Sequence, residues 1–447
     1  MKNTNLLNIK KNNKYVVDII DYGSNGEGIA KIDGFIVFVP FTIVGERAEI
    51  LIVQVRKDFA FAKVLNIIKS SPYRIEPKCE YFGKCGGCQL QHIEYKEQLK
   101  YKKQYVQNCL KKYAGIDVNI NDCVPSNKEY NYRNKFSFPV DKINGEIVVG
   151  MYRIGSHKLV PINNCALQEN CKNIIKNFKK YANKYNLKVY NDTKLHGVKH
   201  IVCRNYNKNN LLSVVTTQKT QNIQSVCENM YSTGDFTGIV ANINTKDSNV
   251  ILGDKNILLQ GKDSILIEEY GLKYYINNQS FMQVNNYIKG LMYDEVLKQI
   301  NSVDIVVDAF SGAGVLSAII AKKCKQVYGI EIVKDAVKTA NELAKNNNIN
   351  NLYNICGDCA IELPKLLNDI GKCTLVLDPP RKGCDNKTLV AINRSLPDKI
   401  IYISCNPATL ARDLKVLMLN YNVNSITPFD MFPQTANVET LVVLNKK

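Results

Sequence analysis

The chain has 447 residues, 45% of them hydrophobic, enough to bury the cores of two or three domains. Its 59 Lys+Arg outnumber 41 Asp+Glu, a formal charge of +18 that points to a polyanionic partner, nucleic acid above all. No apolar run is long enough for a secretory leader or a membrane span. Fifteen cysteines without a leader exclude a disulfide scaffold and favour metal-binding or nucleophilic thiols, so a cytoplasmic protein with no membrane contact is expected.

Residues 15–70 read as short strands (YVVDII, GIAKI, GFIVFV, RAEILIVQV, FAFAKVLNII) separated by turn signals at 21–28 and at Asp33-Gly34. That rhythm predicts a small β-barrel of the OB-like size class, a common nucleic-acid binder. Arg56, Lys57, Phe59 and Phe61 offer phosphate contacts and stacking, although burial in the barrel is the better reading for the two rings.

After Ser71-Pro72 the composition changes, and residues 79–92 read CEYFGKCGGCQLQH. Cys79, Cys85 and Cys88 form a C-x5-C-x2-C loop whose glycines let the chain wrap a compact centre. Three thiols leave one ligand to find; Cys165 is the best later candidate, with Cys171 and Cys109 as alternatives. Spacing leaves zinc and an iron–sulfur cluster both open. Residues 94–112 predict a charged amphipathic helix, a candidate to pack on the catalytic part of the chain. The region 123–275 mixes strand-like runs with helical ones and suggests an antiparallel α+β module, in which Arg133, Lys135 and Arg153 can line an RNA path or a solvated face.

From Val303 strands and helices alternate, the sign of a doubly wound parallel sheet. Strand 304–309 runs into the turn Gly312-Ala313-Gly314, strand 326–330 ends at Glu331, and strand 352–355 leads to Asp358. Strand 373–377 ends in Asp378-Pro379-Pro380-Arg381. The stretch 400–413, IIYISCNPATLARD, is a β-branched strand that ends at Ser404 and Cys405 and restarts as a helix after Pro407. Open α/β sheets present their reacting groups at such strand ends. Glu331, about 20 residues past the glycines, suits ribose hydroxyls, and Asp358 suits an adenine amine. The turn lacks a third glycine and a basic residue for a pyrophosphate, which favours S-adenosylmethionine over a dinucleotide.

Taken together, CEYFGKCGGCQLQH, QSFMQVN, DAFSGAG, LDPPRKG, SCNPATLARD and FPQTANVE resemble the S-adenosylmethionine-dependent RNA uracil-5-methyltransferases, and within them the iron–sulfur branch that acts on 23S rRNA. The resemblance spans nearly the whole chain. It implies a multidomain α/β protein: a TRAM-like RNA-binding barrel over 1–70, a central α+β iron–sulfur module over 71–275, and a Rossmann-like methyltransferase domain over 276–447. It implies a [4Fe–4S] cluster on Cys79, Cys85, Cys88 and Cys165. Cofactor contacts are implied at Gln283, Phe310, Glu331 and Asp378, beside Gly312, Gly314 and Asp358. Cys405 is implied as the nucleophile and Glu439 as the base. Cys405 then needs a helix N-terminus or a hydrogen bond to favour its thiolate. The cluster is expected to brace the fold, because polar methyl transfer needs no electron. The expected enzyme is a monomer.

Two departures stand out. Asn437 occupies a position where many relatives have His, and Val315 follows the glycine turn in place of a small polar residue. Three alternatives compete: a tRNA substrate, an amino-group methyltransferase built on Asp378-Pro379-Pro380-Arg381, and an RNA-binding assembly factor with a vestigial methyltransferase fold.

Overall fold

The computed structural model describes residues 9–190, 196–218 and 222–447. The first eight residues of the expected barrel unit, and two short stretches of the central region, lie outside them. Among the described residues no helix is long and apolar enough to cross a membrane.

Alternation of small apolar and polar residues builds the N-terminal barrel. Val37, Ala48, Ile50 and Ala60 are fully buried while their neighbours along each strand face out. Six strands are ordered Lys14–Asp18, Arg47–Val55, Phe59–Lys69, Phe35–Val39, Gly28–Ile32 and Asp21–Tyr22. Ile20 N–H donates to Ile29 O at 2.8 Å, so the sheet returns onto the chain leaving its first strand. Phe59 and Phe61 are not core, contrary to expectation. Ala60 and Ala62 fill the interior, and the two rings lie half-buried on the outer face, packed on Phe38 at 5.6 and 5.7 Å. The period of two leaves no other choice once the alanines face inward.

The central region is a seven-stranded sheet ordered Lys255–Gly261, Gly238–Ile243, Asn209–Thr216, Val198–Tyr206, Lys135–Ile143, Glu146–Tyr152 and Leu159–Pro161. Helices Cys171–Lys184 and Ile223–Tyr231 cover it with Ile174, Ile175, Phe178, Val226 and Met230. The expected antiparallel pattern is broken at one pair: Asn209–Thr216 and Gly238–Ile243 run parallel, because the helix between them serves as a crossover.

A hairpin, Ile265–Glu269 with Leu272–Ile276, shares its apolar cluster with Val306, Val327 and Ile401 of the C-terminal sheet. That sheet orders its strands Leu352–Cys356, Gln326–Glu331, Ile305–Ala309, Thr374–Leu377, Lys399–Ser404, Glu439–Lys446 and Tyr421–Phe429. The first five are parallel. Glu439–Lys446 inserts antiparallel between Lys399–Ser404 and Tyr421–Phe429.

Helix Tyr95–Cys109 packs against this sheet's helices through Val106, followed by Leu110, Ile116 and Ile120. Its Lys102 is fully buried and pairs with the equally buried Asp430, while Lys102 Nζ also donates to Phe432 O at 3.0 Å. Removing one partner of such a pair leaves an uncompensated buried charge. Lys102→Met is therefore expected to destabilise the protein by about 3–5 kcal/mol in urea unfolding, and Lys102→Met with Asp430→Leu to recover most of the loss.

Candidate active site

Five parallel strands end on one edge of the C-terminal sheet, and the antiparallel strand Glu439–Lys446 begins there. Ser404 lies opposite Thr440 in the ladder, so Cys405 and Glu439 face each other one step further along. Leu377 is aligned with Tyr402, which brings Asp378 out at the neighbouring strand end. Cys405, Glu439 and Asp378 thus meet although 61 positions separate the most distant two in sequence.

The cofactor-type residues line the same edge. Phe310 is left-handed at φ 68°, followed by Gly312 at 56° and Gly314 at 75°. A Cβ on Gly314 would come within 2.6 Å of the Ala340 Cβ, so only glycine permits this approach of turn and helix. Glu331 Oε2 accepts from Gly312 N–H at 3.0 Å and its Oε1 accepts from Val333 N–H at 2.8 Å, so this carboxylate also fastens the turn. Beneath it, buried Asp308 accepts from Ser317 Oγ, and burial pushes the Asp308 carboxyl up to about 7. Asp358 caps helix Cys359–Ile370, accepting from Ala360 N–H at 2.9 Å, and stays exposed.

Gln283 lies on the segment joining the hairpin to helix Asn286–Lys298, and the central sheet holds that segment. Arg204, fully buried, donates to Asn277 O at 3.1 Å and Ser280 O at 2.5 Å. Lys135 Nζ reaches Asn278 O at 2.5 Å, and Asn134 Nδ2 donates to Gln283 O at 2.9 Å. Sequence reading missed Arg204 altogether: it sits in a β-strand run, where a charge reads as a solvated face.

Electrostatics at the strand ends are distinctive. Glu439 is 3% exposed, and burial, reinforced by the Asp378 charge and opposed by Arg381, pushes its carboxyl up to about 8. Burial raises Asp378 to about 7. The Cys405 thiol is also raised, by burial first and then by Glu439, with Arg381 opposing. Cys405 does precede the helix Pro407–Leu417, capped by Asn406, yet in the free enzyme its surroundings hold it toward the thiol rather than the thiolate. Arg381 is the opposing cation. Its NH2 donates to Asn437 Oδ1 at 3.3 Å, and its carbonyl accepts from Asn406 Nδ2 and Thr409 Oγ1, both at 3.2 Å. Asn437 therefore orients the arginine. Buried Asp413 accepts from Cys384 N–H at 2.8 Å and Tyr402 OH at 2.6 Å, which locks the loop after Asp378 onto this helix.

The loop that leads into Glu439 is fastened by residues more than 300 positions earlier in the chain. Gln89 N–H and Leu90 N–H donate to Gln434 O at 3.1 and 3.0 Å, and Tyr132 OH donates to Pro433 O at 3.0 Å. Gln98 Nε2 donates to Gln434 Oε1 at 3.0 Å.

Cys79, Cys85, Cys88 and Cys165 line one cavity of about 210 Å³, with Arg133 and Lys135 on its wall. Cys171 turns instead toward Asn164, and Cys109 packs under Tyr105 on the distant helix. Among the described residues no three His, Cys, Asp or Glu side chains converge closely enough to hold one metal ion. Gln91 is 1% exposed; its Oε1 accepts from Cys79 N–H at 3.2 Å, and its Nε2 is buried without a partner.

Residues 94–447 match the family model described as tRNA (uracil-5-)-methyltransferase, and residues 10–65 match the TRAM domain. The chain is 40% identical to an uncharacterized RNA methyltransferase of Clostridium acetobutylicum, covering 98% of both chains. It is 36% identical to one of Halalkalibacterium halodurans, again over 98% of each. The crystal structure of Pyrococcus abyssi tRNA (uracil-54, C5)-methyltransferase in complex with S-adenosyl-L-homocysteine superimposes with a TM-score of 0.77 at 27% identity, over 96% of this chain and 99% of that one. The chain belongs to the tRNA (uracil-5-)-methyltransferase family: it is an RNA methyltransferase with an N-terminal TRAM domain.

Proposed function

We propose that this enzyme methylates C5 of a uridine in RNA through a covalent adduct with Cys405. The observation that carries the reading is the ladder that sets Cys405 opposite Glu439, with Asp378 alongside. Uracil C5 is too weak a nucleophile to take a methyl group unaided. Addition of the Cys405 thiolate at C6 makes C5 an enolate-like carbon, and covalent catalysis of this kind divides one hard step into easier ones. Bound S-adenosylmethionine supplies the electrophilic methyl group. Gln283, Phe310, Gly312, Gly314, Glu331, Asp358 and Asp378 are the residues we assign to holding it. After transfer, the Glu439 carboxylate takes the proton from C5, and the electron pair left behind expels Cys405 from C6 as a thiolate. Arg381 favours the ionised forms of both groups.

The 1–70, 71–275 and 276–447 division gives the first two parts the grip on RNA and the third the chemistry, in a monomer acting in the cytoplasm. Among RNAs, 23S rRNA is our assignment, on the cysteine loop. The likeness to a tRNA (uracil-54, C5)-methyltransferase favours a tRNA substrate as the second reading.

The cysteine cavity fits a [4Fe–4S] cluster. Four thiols face one space, and the unpartnered Gln91 Nε2 is a donor for sulfur. In such a cluster each cysteine binds a different iron, so no three ligands need converge on one point. Cys79, Cys85, Cys88 and Cys165 would hold it, and its chemistry there is that of a covalent brace between the cysteine loop and the central sheet.

Trapping on RNA containing 5-fluorouridine tests the mechanism, since fluorine at C5 cannot leave as a proton. Wild type is expected to remain attached to methylated RNA and Cys405→Ala to form no adduct; sequencing the attached fragment separates rRNA from tRNA. An adduct that persists in Cys405→Ala overturns the assignment. Because the base must be ionised, kcat/KM is expected to rise with pH through about 8, following Glu439. Asp378→Asn removes a charge that raises Glu439 and should move that limb to lower pH, whereas Arg381→Met should move it higher. A profile flat from pH 6 to 9 would sink the role of Glu439. Anaerobically purified protein should contain iron and acid-labile sulfide that Cys88→Ser loses, and wild type with neither refutes the cluster.

A further inference from the structure

A second cleft, of about 670 Å³, opens where the barrel, the cysteine loop and the central sheet meet. Its apolar walls are Phe41 and Phe61 from the barrel and Met151 and Tyr152 from the central sheet, with Arg153 at the side and Gln89 toward the catalytic loop. The three walls are fixed to one another. Gly86 N–H donates to Tyr152 O at 3.0 Å, and Cys85 pairs with Arg153 in an isolated bridge. Phe41 holds a left-handed backbone at φ 66°, and its carbonyl accepts from Arg74 NH2 at 2.9 Å; that guanidinium is itself paired with fully buried Glu46. A non-glycine residue held there costs free energy, so the direction of this ring is over-determined. Nothing in the proposed reaction uses it.

The wall chemistry is that of a base site. Aromatic faces accept any base by stacking, a guanidinium suits the adjoining phosphate, and the chain carries a formal charge of +18. His200 also lines the cleft, and burial lowers this imidazole to about 4, so it is neutral near pH 7. A neutral ring nitrogen can donate to or accept from a base edge. On the other side, Gln89 Oε1 accepts from Ala436 N–H at 3.4 Å, three residues before Glu439. The cleft therefore borders the loop that carries the proposed base.

We propose that this cleft receives a second, unstacked base of the RNA strand that carries the target uridine, stacked on Phe61 and Tyr152 with its phosphate on Arg153. The inference rests on RNA being the substrate, not on the cysteine adduct.

Photocrosslinking tests it directly. Full-length enzyme is irradiated with a short oligouridine containing 4-thiouridine, and the attached peptides are identified by mass spectrometry. Crosslinks are expected on the peptides carrying Phe61 or Tyr152 as well as near Cys405. Tyr152→Ala should weaken oligouridine binding about tenfold while leaving an abasic polymer of the same length unaffected, and Tyr152→Phe should restore the affinity. Crosslinks that never reach the cleft, or equal losses on both polymers, overturn the proposal. A failure of 5-fluorouridine trapping with these crosslinks present would instead count against the Cys405 mechanism alone.

Discussion

The placement of Cys405 beside Glu439 depends on one strand. Glu439–Lys446 runs antiparallel between Lys399–Ser404 and Tyr421–Phe429, and its first residue lands across the ladder from Cys405. A parallel strand in the same slot would have begun at the opposite edge of the sheet, far from the thiol. Once the register is set, burial does the rest. Glu439 is driven toward its neutral form by burial and by Asp378, and Arg381 is the countercharge that draws it back. The free enzyme thus holds a carboxyl and a thiol both raised above their ordinary values, a state that a bound cationic sulfonium would shift toward ionisation.

That register depends in turn on residues far away in the chain. The loop entering the strand includes Gln434, left-handed at φ 69°, whose carbonyl accepts two N–H groups from the cysteine loop. Gln98 and Lys102 hold the same loop from a helix that precedes the central sheet. The cysteine loop, the helix Tyr95–Cys109 and the loop entering strand Glu439–Lys446 form one hydrogen-bonded junction. A brace at the cysteine cavity would thereby stiffen the approach to Glu439 without touching the reaction.

Arg204 and Arg133 illustrate how context decides a charge. Arg204 sits in strand-like sequence that offers no sign of its use, and Arg133 reads from sequence as lining an RNA path or a solvated face. Arg204 is wholly buried because the carbonyls of Asn277 and Ser280 need donors where the chain crosses from the central sheet to the cofactor edge. Arg133 lines the cysteine cavity.

Much of the fold is legible in the chain itself. The alternation of 15–70, the strand–helix rhythm after 303, and the acids and thiol at strand ends follow from periodicity and turn chemistry, which act over a few residues. Local pattern likewise identifies Gly314 as a turn residue. Tertiary structure alone decided that Phe59 and Phe61 face outward and that Arg381 counters both Cys405 and Glu439. These outcomes hang on strand register and on contacts between residues tens to hundreds of positions apart. Composition and spacing carry no information about distance across a sheet, whereas the field at Cys405 is set by distance and burial.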